Sequence, residues 1–323
     1  MRFAFTVEQL AFRDAVRNML EKECPPSAVR DAWTNDTGRV PGLWERLCRM
    51  GVVGPDASGL TPLDLVLVLE ETGRACVPEP LVETFASGAG GVAAATGLGL
   101  AVSPLVLYAD SVERLVLERG GALWSLAPSL ASLQPRPAVD GSRRLFSVEW
   151  DPGGGERLDL HPRSVLDRAA LAAGAQLCGI AQQLLDMAVG YARQRHQFGQ
   201  PIGAFQAVKH QLADVALKLE FARPVVYRAA YSMDPTHVSM AKACASEAAL
   251  LAARVALQVH GAIGYTVEYD LHMWLKRAWA LAGAWGDGAW HVREVGRAVL
   301  GEAAAGPAAS AVSSAQERRG TDP

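Results

Sequence analysis

Arg195-His196-Gln197-Phe198-Gly199-Gln200-Pro201-Ile202-Gly203-Ala204-Phe205-Gln206 stands between two long apolar stripes of helical period. Upstream run Leu166, Ala170, Ala173, Leu177, Ile180, Leu184, Ala188 and Tyr191; downstream run Phe205, Val208, Leu212, Ala216, Leu219 and Ala222. A one-sided stripe must be buried against a neighbour, and a short connection between two such helices makes them antiparallel. Gly199, Pro201 and Gly203 mark the joint as a turn. Pro224 should kink or end the second helix. A third helix is expected over Val238 to Val259, closed by Gly261 and Gly264. Leu271 to Ala284 and Ala289 to Leu300 complete a C-terminal helical bundle.

Outward from the bundle, the first hundred residues also read as helices. Thr6-Val7-Glu8-Gln9 has the form of a capping box, and its helix runs to Glu23 before Pro25-Pro26 stops it. A short helix over Leu43 to Met50 ends at Gly51. Thr61-Pro62-Leu63-Asp64 combines a hydroxyl cap, an early proline and an acid at the third position, opening a helix that runs to Gly73. The small-residue stretch Ala86 to Leu100 is expected to be partly helical. Between them, residues 105–108, 114–117, 122–126 and 145–150 are short β-leaning runs. The chain therefore divides into an N-terminal helical domain (1–100), a reduced middle β domain (101–162) and the C-terminal four-helix bundle (163–300). The Ala/Ser/Gly-rich segment 301–323 lacks a periodic face and is expected to be disordered. The fold class is mostly α.

Composition excludes several classes. The 323 residues carry 31 basic and 34 acidic side chains, a formal net charge of −3, so nothing draws the chain to nucleic acid or an anionic membrane. No stretch reads as apolar enough to span a bilayer; Ala172 to Ala192 carries Gln176, Gln182, Gln183 and Asp186. The N-terminus lacks a signal-peptide core. Five scattered cysteines without a CxxC pair suggest neither zinc nor a disulfide framework, and the seven histidines lack ligand spacing, so no metal is expected. A cytoplasmic protein follows.

Chemistry concentrates in two places. In the opening stretch an arginine at a helix end, a Phe-Gly turn and a Phe-Gln helix start can grip a phosphate and a planar ring. The same arginines equally complement a helix C-terminus. Leu257-Gln258-Val259-His260-Gly261 ends a helix with a glycine that lets a ligand approach the backbone, or is simply a glycine-terminated helix.

Taken together, Arg195-x-x-Phe198-Gly199-x-Pro201-Ile202-x-x-Phe205-Gln206, Ala241-Lys242-x-x-x-Ser246-Glu247 and Gln258-x-His260-Gly261-x-x-Gly264-Tyr265 resemble the ordered signatures of the acyl-CoA dehydrogenases. Glu8-Gln9 with Phe12-Arg13, and Leu69-Glu70-Glu71-x-Gly73-Arg74, resemble that family's N-terminal helical domain. The resemblance implies FAD, an acyl-CoA substrate and α,β-desaturation, in which a carboxylate takes the α proton and the flavin the β hydride. It implies that Arg195, Phe198, Phe205, Gln206, Gln258, Val259 and Gly261 contact the cofactor across a subunit interface. Position 262 is Ala where the family has a second glycine.

Two departures stand out. Nothing between Leu100 and His161 resembles the family's flavin-holding strands, so Trp124 and Trp150 are expected to pack. The loop that carries the family's glutamate reads Ala284-Trp285-Gly286-Asp287-Gly288 here. With a short gap, Asp287 takes the base position; without one, Trp285 does; and Asp287 equally suits the N-cap of the last helix. A base on the first long C-terminal helix would fall near Ala169, and Asp167 is out of register with it. Glu247 is expected in a salt bridge or interhelical hydrogen bond. A short chain with the adenosine grip and no standard base resembles the reduced subunit of α2β2 actinobacterial enzymes that desaturate steroid-derived CoA thioesters. That implies a longer homologous subunit as partner, with electron-transfer flavoprotein as acceptor. A non-catalytic subunit completing a partner's FAD site, or a homo-oligomeric flavoprotein acting on a carrier-bound intermediate, are the alternatives.

Overall fold

The computed structural model describes residues 4–53, 59–88 and 94–301. The N-terminal layer comprises α1 (Val7–Glu23), α2 (Pro26–Ala32), α3 (Leu43–Arg49), α4 (Pro62–Arg74) and α5 (Leu81–Ala86). The expected capping box forms at Thr6, and the hydroxyl cap expected at Thr61 closes into a second one. The Thr6 hydroxyl accepts from the Gln9 N–H while the Gln9 side chain returns to the Thr6 N–H. Thr61 and Asp64 do the same at α4. Pro25-Pro26 ends α1 as expected, and Pro26 then opens α2, where its missing N–H costs nothing.

The β region holds two sheets. One has the order β1 (Thr96–Gly99), β3 (Arg114–Arg119), β4 (Ala122–Leu126), β7 (Glu156–Leu158). The other runs β2 (Val106–Leu107), β6 (Leu145–Trp150), β5 (Ala131–Arg136). The helix expected within 86–100 is corrected by β1, which pairs in parallel with β3; residues 89–93 lie outside the described residues. Packing explains the change. A Cβ on Gly97 would stand 2.8 Å from Val106, and one on Gly99 2.9 Å from it, so only glycine admits these neighbours. Trp124 and Trp150 are half-buried and lie 6.3 Å apart, one from each sheet, so they pack the sheets together.

The C-terminal bundle comprises α6 (Pro162–Gln194), α7 (Gln206–Ser232), α8 (Pro235–His260), α9 (Leu271–Gly283) and α10 (Gly288–Leu300). α6 and α8 form its centre. Alanines 169, 170, 172, 173, 241, 245, 248, 249, 252 and 253 are buried there, letting the two backbones approach closely. α7 continues through Pro224 to Ser232, so the proline does not end the helix. Buried Ala222, Val226, Ala229 and Ala230 hold both halves against the bundle, outweighing the roughly 3 kcal/mol that an interior proline costs. Pro235–Tyr265 is long and apolar enough by composition to cross a membrane, which corrects the expectation that no stretch is; half of its most apolar window is buried as the bundle's central helix. The tail expected to be disordered, apart from Gly301, lies outside the described residues.

Two of the contacts that join the layers fix their geometry. α4 crosses α6 at Gly73 and Gly179: a Cβ on Gly179 would fall 1.8 Å from the Glu70 carbonyl oxygen, and one on Gly73 2.1 Å from that of Gln176. Elsewhere, Arg277 of α9 is buried against Asp140 and donates to the Val77 carbonyl (2.8 Å) and the Ser142 hydroxyl (2.8 Å). That one guanidinium ties α9, the β5–β6 connection and the segment before α5.

Gly179→Ala drives a methyl into backbone that cannot move aside. Urea unfolding should show a loss of about 3 kcal/mol or more, with α4 separating from α6.

Candidate functional site

The 195–206 stretch forms a small hairpin at the end of α6. β8 (His196–Gln197) pairs with β9 (Gln200–Pro201), and the Ile202 N–H donates to the Arg195 carbonyl at 2.8 Å. The two-residue turn is Phe198-Gly199, both left-handed at φ +54° and +82°. Asn-Gly is the favoured pair for such a turn. Here a phenylalanine holds the strained position with its ring 92 % exposed, 6.1 Å edge-to-face from Phe205. Non-glycine residues in that region cost about 1 kcal/mol or more and concentrate at functional surfaces.

α7 begins beside this turn. Its N-cap is Phe205, which supplies no side-chain acceptor, so the first amides of a 27-residue helix face outward unsatisfied by a cap. Arg195 and Gln206 are exposed, and Arg195 forms no salt bridge among the described residues.

The second expected block comes to the same end. Tyr191, in the last turn of α6, stacks on His260 of α8 at 4.5 Å, and His260 Nε2 lies 3.3 Å from the Tyr269 hydroxyl. Gln258 is exposed and Val259 is buried. Gly261 caps α8 at φ +63° with open space where a Cβ would project. The structure thus brings Arg195, Phe198, Phe205, Gln206, Gln258 and Gly261 to one end of the bundle, with Val259 as packing beneath. The uncapped amides of Gln206 and Ala207, a guanidinium with no salt bridge among the described residues and an uncovered ring suit a diphosphate joined to a planar base.

Asp287 is elsewhere. It is the exposed N-cap of α10, its carboxylate accepting from the Trp290 N–H at 2.7 Å. Behind it lies a tight elbow in which Trp285 (φ +58°) and Gly286 (φ +88°) are both left-handed. Trp285 is fully buried. Lys242 of α8, also fully buried, donates to the carbonyls of Ala282 and Gly286 at 3.1 Å each. That contact sets Asp287 level with Lys242, so it stands about 25 Å along α8 from the Gln258 end at 1.5 Å per residue. The structure does not bring Asp287 together with the expected cofactor residues within one chain.

Two other carboxylates are accounted for. Asp167 is buried beneath Arg163 (2.9 Å), which also reaches Glu294 of α10 at 2.6 Å. Glu247 forms the expected salt bridge, with Lys218 of α7 at 2.6 Å, although it is exposed. Sequence reasoning missed the groups beneath the elbow. His291 Nε2 lies 3.0 Å from the Trp285 carbonyl, and burial together with the Lys242 charge pushes this imidazole down to about 4. Burial pushes Lys242 down to about 7, opposed by the Asp287 charge. A lysine spaced i, i+4 from Ser246 on an otherwise alanine-lined face was the available signal.

Two family models match this chain: the acyl-CoA dehydrogenase N-terminal domain over residues 6–107 and the C-terminal domain over residues 162–312. The chain belongs to the acyl-CoA dehydrogenase family. Acyl-CoA dehydrogenase IpdE2 of Mycobacterium tuberculosis is 35 % identical over 295 residues, covering 84 % of this chain and 91 % of that one. FadE34 of the same organism is 32 % identical over 80 % of this chain but only 41 % of its own length. Among solved structures, the ChsE4–ChsE5 complex from M. tuberculosis contains a chain matched with TM-score 0.81 and 20 % identity over 95 % of this chain and 100 % of that one. A variant of the Tcur3481–Tcur3483 steroid acyl-CoA dehydrogenase matches with TM-score 0.80 and 22 % identity, over 92 % and 99 % of the two chains. As an acyl-CoA dehydrogenase, this chain keeps both helical parts of the fold around a small β region.

Burial lowers the His291 imidazole from about 6.5 to about 4 on folding, so its contribution to stability is complete above pH 6.5 and is lost as pH drops toward 4. The loss is about 3 kcal/mol from this residue. His291→Gln keeps a donor for the Trp285 carbonyl and removes the titration, so its melting temperature should fall less than wild type between pH 6.5 and 4.

Proposed function

We propose that this chain is one subunit of a heteromeric, FAD-dependent acyl-CoA dehydrogenase acting on a bulky, steroid-derived CoA thioester. The separation of Asp287 from the 195–206 and 258–261 cluster carries this reading. A flavin ring beside Asp287 would have its diphosphate and adenine far from this chain's own cluster. Each chain would then complete a site belonging to its neighbour. The match to chains of a ChsE4–ChsE5 complex and of a Tcur3481–Tcur3483 steroid enzyme supports two unlike subunits and the steroid substrate class.

The cluster fits the adenosine half of FAD. Arg195 and the bare α7 N-terminus would hold the diphosphate; Phe198, Phe205, Gln206, Gln258 and Gly261 would border the adenine side. FAD, when bound, would supply the acceptor for the β hydride. Asp287 would take the α proton: its carboxylate is exposed, and the N-cap bond leaves lone pairs free on its oxygens. Electrons would leave to an electron-transfer flavoprotein.

A second reading is favoured by the Trp290 N–H bond to Asp287, since a capping carboxylate needs no further role. The chain would then be a structural subunit that completes a partner's FAD site.

Asp287→Asn separates the two. Asparagine caps a helix as well as aspartate, so α10 should persist while turnover of the assembled enzyme falls about 10²-fold or more. Unchanged turnover would establish the structural-subunit reading. Co-purification with a longer homologous subunit should raise bound flavin, read at its visible absorbance; full flavin stoichiometry in this chain alone would overturn the heteromer. Phe198→Asn should relieve the turn, raising stability by about 0.5–1 kcal/mol, while flavin content of the complex drops.

A further inference from the structure

Beneath the elbow, Lys242 Nζ has three polar neighbours: the carbonyl oxygens of Ala282 and Gly286, each at 3.1 Å, and the Ser246 hydroxyl at 3.3 Å. No carboxylate is within salt-bridge reach of it among the described residues. Three neighbours match an ammonium donating three bonds. They equally match a neutral amine that donates to the two carbonyls and accepts from Ser246. Hydrogen bonding therefore does not select the charge state. Burial opposes the ammonium, and the negative charge of Asp287, one residue beyond the gripped Gly286 carbonyl, supports it.

The elbow itself is over-determined. Lys242 holds the carbonyls at 282 and 286, and His291 holds the one at 285. A Cβ on Gly286 would lie 2.7 Å from the Trp290 ring and 2.9 Å from His291 Nε2, so no residue with a side chain fits there. Trp285 pays for a left-handed conformation by full burial of its ring.

We propose that Lys242 is a positioning residue and buried counter-charge for Asp287: its amine fixes the 282–287 elbow from below, and its protonation is coupled to the charge on the Asp287 carboxylate. The groups facing this centre are Asp287 from the elbow, Ser246 on the same helix, His291 and Glu294 from α10, and Arg163 from α6. His291 stays neutral at neutral pH because it titrates near 4, so it holds the Trp285 carbonyl as a neutral donor throughout. When the carboxylate charge is removed by substitution, the buried ammonium loses its support and gives up its proton at lower pH. The bearing of this coupling on desaturation rests on the reading of Asp287 as the substrate-facing carboxylate; the coupling itself is a property of the chain.

The test uses the full chain labelled with 5-fluorotryptophan and needs no turnover. The Trp285 fluorine resonance, identified by its loss in Trp285→Phe, is followed from pH 5.5 to 9. It should move with a midpoint near 7 in the wild type. In Asp287→Asn the midpoint should drop by at least half a pH unit, and in Lys242→Met the transition should vanish. A resonance that stays flat in the wild type overturns the proposal, as does a midpoint unmoved by Asp287→Asn. Asp287→Asn alters an exposed cap, so the proposal stays falsifiable if Lys242→Met fails to fold. A coupling found here alongside unchanged turnover of Asp287→Asn in the assembled enzyme would defeat the catalytic reading and leave the coupling standing.

Discussion

The buried guanidinium of Arg277 sets the frame on which everything else hangs. A charge taken out of water is tolerated only when its partners are complete. Asp140, the Val77 carbonyl and Ser142 make it so. Three parts of the chain meet there: the β5–β6 connection through Asp140 and Ser142, the segment before α5 through Val77, and α9 through the arginine itself. Displacing any one strands a charge, so the three move together or not at all. Because α9 leads directly into the 282–287 elbow, the placement of Asp287 inherits this constraint. Trp274 strengthens it by donating to the Arg74 carbonyl at the end of α4 (2.8 Å).

What the sequence made legible was local. Both capping boxes, the Gly-marked helix ends and the long stripes of α6, α7 and α8 follow from interactions within a few residues. The family signatures were legible as a resemblance, carried by the order and spacing of several short motifs along the chain. What could not be read was decided by contacts distant in sequence. β1 is a strand because β3 accepts it in parallel and its glycines admit Val106. β5 is mostly exposed, with a proline in it, so it carries no alternating apolar signal. Pro224 failed to stop α7 because burial on both sides outweighed one missing bond. At the candidate site, the residues that gather at the hairpin end of the bundle could be named in advance. The distance of Asp287 from them could not, since it depends on α8 running most of its length between the two.

That distance gives the bundle a division of labour. One end presents donors and rings held by little but a hairpin and a helix start: Phe198 projects almost fully into solvent, and Gly261 leaves open space above it. The other end is closed from inside by Trp285, Lys242 and His291. An exposed rim suits contact with a group delivered by another chain. A rigid elbow suits a carboxylate whose direction must not drift.

The crossing of α4 over α6 bears on where a large ligand can go. With backbone meeting backbone at Gly73 and Gly179, there is no width between these helices for even a methyl group, let alone an acyl chain or a fused ring system. Breathing motions cannot open that seam without breaking the Arg74–Asp186 ion pair and the bond from the Gln176 amide to the Thr72 hydroxyl, both of which join α4 to α6. At this crossing the helical body behaves as a wall. On the heteromeric reading proposed above, room for a bulky thioester would come from what a partner places against it, and selectivity for ligand size would reside in the fit between chains.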